Sequence, residues 1–145
     1  MSLVKQGMTA KEYLKQYERA VRRAQRYRDE YQKESDLIDA VRSLSDNDGM
    51  PHGSNISKPT EDKAVRLADR RLRLIEAELE AIRIKQEVFD FIDSIEGIEG
   101  DVLLLRYVDL LTWEEICYKI HYSWRQTHRI HHRALSMVSE MLGIE

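Results

Sequence analysis

The chain has 145 residues, 42 % of them apolar and 34 % charged. That suits one ordinary domain, or a small domain with a helical extension, and excludes a disordered chain. A single cysteine, Cys117, excludes an internal disulfide; no apolar run approaches the roughly 20 residues of a membrane span; the N-terminus lacks the apolar core of a secretory signal. A reducing cytoplasm is the expected location, and no membrane partner is expected. Only two Pro and six Gly occur, so long uninterrupted helices and an all-α fold are predicted.

The first predicted element runs from about Thr9 to Leu44, without Pro or Gly. Thr9 and Glu12 fit a capping box, the signature of a helix start. Apolar residues recur at helical spacing, among them Tyr13, Leu14, Tyr17, Ala20, Ala24, Tyr27, Tyr31, Val41 and Leu44. One helix of this length would extend roughly 54 Å and needs a packing partner. The four tyrosines could form a stacking platform for single strands, but their helical spacing reads better as a hairpin core or a dimer seam.

Residues 45–58 form a turn-rich loop with two Gly and one Pro. Pro59, Thr60, Glu61 and Asp62 open the next helix, with Thr60 as its cap and two acids at the positive end of its dipole. This second segment runs to about Ser94. Ala68, Leu72, Ile75, Leu79, Ile82, Gln86 and Phe89 step alternately by four and three, the spacing of a coiled-coil seam. The two segments predict an antiparallel helical hairpin over residues 1–95. Such a hairpin has a thin core, to be completed by a second copy or by the C-terminal domain.

Glu96-Gly97-Ile98-Glu99-Gly100 marks a boundary, followed by a small domain over 98–145 with three short helical patterns: Asp101–Val108, Thr112–Ile120 and Ser123 to about Met141. Thr112 with Glu115, and Ser123 with Gln126, form two further capping boxes. Ile116, Cys117 and Ile120 share one helix face. Thr127, Ile130, Ala134 and Leu135 make an inward stripe on the next. Two short helices across a three-residue turn make the helix-turn-helix layout.

The net charge of -3 hides an asymmetry. From Ile116 to Ser139 there is no Asp or Glu, while Lys119, Arg125, Arg129, Arg133 and four of the five histidines lie there. A solvated face normally mixes signs, so this segment points to a polyanion partner. Side chains at the start of the last helix are placed for base edges: Trp124, Arg125, Gln126, His128 and Arg129. Arg suits guanine and Gln suits adenine. Lys119, Ser123, His132 and Arg133 are placed for phosphates. Trp124 is equally suited to plugging the core or meeting a thymine methyl.

His128, His131 and His132 have i, i+3, i+4 spacing that can serve zinc, but no Cys or carboxylate nearby in sequence completes a site. Histidine protonation would tighten DNA binding below a pH of about 6.5. Cys117 reads as a small packing residue. No Ser-His-Asp arrangement and no Gly-rich phosphate loop is present, so neither catalysis nor a cofactor is expected.

Glu115-Ile116-Cys117, Ile120-His121-Tyr122-Ser123, Thr127, Ile130 and Ala134-Leu135 resemble region 4 of bacterial sigma factors, with Leu103-Leu104-Leu105-Arg106-Tyr107 as the preceding scaffold helix. The resemblance covers about Asp101 to Leu142. It implies base contacts by Trp124, Arg125, Gln126 and Arg129. The turn glycine of that pattern is His121 here, which tolerates a left-handed backbone less well than Gly. Arg125 replaces a frequent acid, so no target sequence carries over. Nothing like a promoter-melting region precedes it. With the hairpin and linker, the chain resembles small phage-encoded late transcriptional regulators of the RinA and ArpU type. That resemblance implies a DNA-binding regulator in a bacterial host cell, with double-stranded DNA as partner; the hairpin would supply either a homodimer contact or a surface for RNA polymerase. Two alternatives stand beside it: a DNA-packaging subunit similar to the small terminase of phages, and an RNA polymerase-binding adaptor that does not touch DNA.

Overall fold

The computed structural model describes residues 7–46 and 58–144. The fold is all-α, with no strand among the described residues. The elements are α1 (Ala10–Leu14), α2 (Gln16–Asp46), α3 (Lys58–Asp93), α4 (Ile98–Leu103), a π-helical stretch (Leu104–Val108), α5 (Trp113–Ile120) and α6 (Trp124–Leu142). No described helix is long and apolar enough to cross a membrane.

The Thr9 capping box forms: Thr9 accepts from the Glu12 N–H and Glu12 accepts from the Thr9 N–H. The single helix predicted over Thr9–Leu44 is interrupted once, at Lys15. There ψ opens to -2°, yet the Lys15 N–H still reaches the Lys11 carbonyl and its own carbonyl still accepts from Arg19. The predicted loop lies largely outside the described residues, which resume at Lys58. Helix α3 already includes Lys58, so Thr60 sits inside its first turn rather than capping it.

The compact units do not divide at the hairpin's end. One unit takes the described residues up to Ala20 together with those from Ala81 onward; the other is Val21–Glu80. In Val21–Glu80 the two helix segments are antiparallel. Arg28 binds Glu78 at 2.6 Å, and Arg70 binds Glu30 at 3.1 Å and also Glu34. These pairs are solvent-accessible or half-buried and hold register more than they add stability. Ala24 and Ala77 are buried here, and Leu67 and Leu74 are half-buried.

The expected seam is therefore not inside the hairpin. Leu72, Ile75, Leu79, Ile82 and Phe89 are all exposed, Leu79 at 61 % and Ile82 at 63 %. Helix α3 packs through Leu67, Leu74, Ala77, Ala81, Ile84 and Val88 instead. A heptad reading puts these about 160° around the helix from the predicted stripe. The alanines let helices approach closely, which the bulkier stripe cannot.

The other unit holds the main core. Ala10, Tyr13 and Leu14 of α1 meet Val88 and Ile92 of α3, Leu103, Tyr107 and Val108 of the scaffold helix, and Ala134 and Val138 of α6. Leu14, Ile92, Leu103 and Val138 are fully buried. Tyr13 meets Phe91 edge-on at 5.1 Å, so this tyrosine is core, not a stacking surface. Gly97, at φ 91°, starts α4. Gly100 packs so tightly on the preceding turn that an added Cβ would lie 2.0 Å from the Ile95 carbonyl oxygen.

Candidate nucleic-acid interface

Helices α5 and α6 begin as their sequences dictate. Thr112 and Glu115 close the capping box of α5; Ser123 and Gln126 close that of α6. Between them His121 adopts the left-handed conformation, φ 60° and ψ 38°, and ends α5. A second left-handed residue, Leu110 at φ 56°, lies in the turn before α5. The inward face of the pair is largely apolar, with Thr127 and His131 as its buried polar members. Ile116 is fully buried, and Thr127, Ile130 and Ala134 are buried on α6, with Leu135 half-buried. The Cys117 thiol donates to Thr127 Oγ1 at 3.3 Å, joining the two helices, so the cysteine packs as a small residue.

Opposite that stripe α6 presents Arg125, Arg129, His132 and Arg133, all exposed. With Trp124 and the half-buried His128 they line an open groove of about 710 Å³. Six of the nine residues singled out from the sequence thus meet on one surface. Ser136 extends the same face by another turn, with its hydroxyl bonded to the His132 carbonyl. Sequence reasoning passed over it, although the spacing 125, 129, 132, 136 contains it. Lys119 is exposed on α5, and Ser123 is exposed at the α6 cap.

Two predicted contacts are already engaged. Gln126 Oε1 accepts from the Ser123 N–H at 3.2 Å and from its hydroxyl at 3.1 Å. A bidentate pair with adenine needs that oxygen, so it would cost the cap. Arg133 lies 3.5 Å from Glu99 of α4, an acid that sequence distance hides from the acid-free segment.

Trp124 divides its surface. It is 55 % exposed, and its ring also lies 4.6 Å from that of His128. His128 is held on its other side by Trp113 at 4.5 Å, and its buried Nε2 has no protein partner. Arg106 stacks over Trp113 at 4.7 Å and donates to the Leu111 carbonyl. The base of α6 is therefore braced by aromatic and guanidinium planes.

The three spaced histidines do not converge. His132 is exposed, His128 sits between the tryptophans, and His131 is buried against Tyr107. Burial pushes His131 down to about 4, helped by the nearby Lys11, His128, Arg106 and His132 charges. Its ring is thus neutral at ordinary pH and adds no charge to the outer face. Among the described residues no group of His, Cys, Asp or Glu is arranged to hold a metal ion.

No protein family, curated protein or solved structure matches the chain.

Proposed function

We propose that the chain binds double-stranded DNA sequence-specifically through α6, as a transcription regulator of phage or prophage type. The observation that carries this reading is the division of α6: a buried apolar stripe on one side, and Arg125, Arg129, His132 and Arg133 exposed on the other. An α-helix fits the major groove, and arginine reads guanine bidentately. The preceding helix and tight turn match the helix-turn-helix layout in which the second helix reads bases. Arg125 and Arg129 read base edges, with Trp124 beside them for a thymine methyl. Lys119, Ser123, His132 and Arg133 meet phosphates; Arg133 does so by exchanging Glu99 for a phosphate oxygen. Gln126 acts chiefly by closing the capping box on Ser123.

Selection of duplexes from a fragment library at two salt concentrations tests the reading. Enrichment of one site that persists at the higher salt is expected. Binding that is weak, unselective and abolished by salt reflects backbone contacts alone and would overturn sequence-specific recognition.

A further inference from the structure

Helix α3 has two apolar faces, and the fold uses one of them. The unused face carries Val65, Leu72, Ile75, Leu79, Ile82 and Phe89, every one exposed. Monomeric proteins rarely leave so long an apolar stripe in water. Its spacing is that of heptad a and d positions, with Val65, Leu72 and Leu79 at a and Ile75, Ile82 and Phe89 at d. A 3.5-residue repeat is the surface another helix of the same repeat fits.

The flanking charges identify that helix and its direction. In a parallel, in-register pair, each g residue faces the e residue of the next heptad on the partner. Here Arg71 faces Glu76, Lys85 faces Asp90, and Glu78 faces Arg83, although within the chain Glu78 also binds Arg28 and Arg83 also binds Glu87. All three pairs are opposite in sign, and symmetry repeats each of them. Reversing one helix with Leu79 opposite Ile82 pairs Glu76 with Arg83 and Glu78 with Lys85 but sets Asp69 against Asp90 at both ends. Shifting that pairing by one heptad sets Glu76 against Glu76 and Arg71 against Lys85. Of these alignments, only the parallel, in-register one sets no flanking charge against its like.

We infer that two copies of the chain associate through this face of α3 as a parallel, in-register coiled coil. Leu at a with Ile at d favours more than two strands in free coiled coils. Here the opposite side of α3 is packed within the chain, and the e and g flanks are charged, which limits the seam to two helices. Gln86, at an a position, meets its own copy and penalises other registers. The inference stands on α3 alone and does not depend on the DNA reading. If both hold, the two copies of α6 emerge at the same end of the pair.

Light scattering on the full chain without DNA tests association by itself. A mass of about twice 17.1 kDa at micromolar concentration is expected. A mass of one chain, or of more than two, would overturn it. Direction is read with Leu72→Cys in a Cys117→Ser background. A parallel pair places the two new thiols opposite each other, and mild oxidation gives a covalent dimer. An antiparallel pair sets residue 72 near residue 89, roughly 25 Å away, so absence of the disulfide in a dimer would overturn the orientation. The double variant Leu72→Glu, Leu79→Glu should run as a monomer with unchanged helical circular dichroism, because both side chains face water in the single chain. If it remains a dimer, α3 is not the interface.

Discussion

The Tyr107 hydroxyl lies 2.7 Å from His131 Nε2, and the two rings stack at 5.8 Å. Burial pushes Tyr107 up to about 12, with Glu18 adding and Arg106 opposing, and pushes His131 down to about 4. Both directions keep the pair neutral. We assign the phenol as donor and the neutral imidazole as acceptor, which puts the His131 proton on Nδ1.

This pair sets an acid limit on the fold. The unfolded chain protonates His131 near 6.5, whereas the folded chain resists until about 4. Its contribution is fully present above pH 6.5 and is lost as pH falls towards 4, by up to about 1.4 kcal/mol per unit. Urea unfolding at pH 7, 5.5 and 4.5 should show this decline. Tyr107→Phe removes the donor to a buried ring nitrogen and should cost about 1–3 kcal/mol at pH 7. It should also flatten the acid slope, because an imidazole without that donor protonates more readily.

Gly100→Ala should destabilise by about 1–3 kcal/mol. The new methyl carbon would meet the Ile95 carbonyl oxygen at 2.0 Å, and backbone gives way poorly. Thermal unfolding reads this directly. A neutral result would mean the turn at Ser94–Gly97 shifts freely.

His121→Gly should stabilise the fold by about 0.5–1 kcal/mol, since φ 60° strains any residue with a Cβ. DNA affinity should stay within twofold, because the change leaves the exposed face of α6 untouched. Guanidinium-chloride unfolding and a binding titration check both halves.

Arg125→Ala and Arg129→Ala should each weaken binding to the selected duplex by roughly tenfold or more and relax preference at one position. Lys119→Ala should weaken selected and random duplexes alike and reduce the salt slope by about one. Gln126→Ala should act mainly through the capping box, removing the acceptor for the Ser123 N–H and costing about 0.5–1 kcal/mol of stability. Titrations on both duplexes at several salt concentrations separate these outcomes.

Local chemistry was legible and tertiary choice was not. The three capping boxes form where Thr9, Thr112 and Ser123 announce them, because a cap is decided within four residues. The inward stripe of α6 follows from its period. On α3 the period is present twice. The bulky stripe through Leu72 and Leu79 outweighs Ala77 and Ala81 to the eye, yet small side chains are what allow two helices of one chain to close. Nothing local marks the opening at Lys15 or the π-helical stretch at Leu104–Val108. The partnerships of His131 with Tyr107 and of Arg133 with Glu99 join residues far apart in sequence, so spacing alone shows neither.

The two sides of α6 answer to different masters. Thr127, Ile130, His131, Ala134 and Val138 are fixed by the packing they complete, and few replacements preserve it. Arg125, Arg129 and His132 touch little of their own chain, and surface substitutions of this kind shift stability by only about 0.5 kcal/mol. The outer face can therefore be rewritten residue by residue while the scaffold stays intact. One backbone can in this way serve many different ligands over evolutionary time, with each change judged by recognition alone.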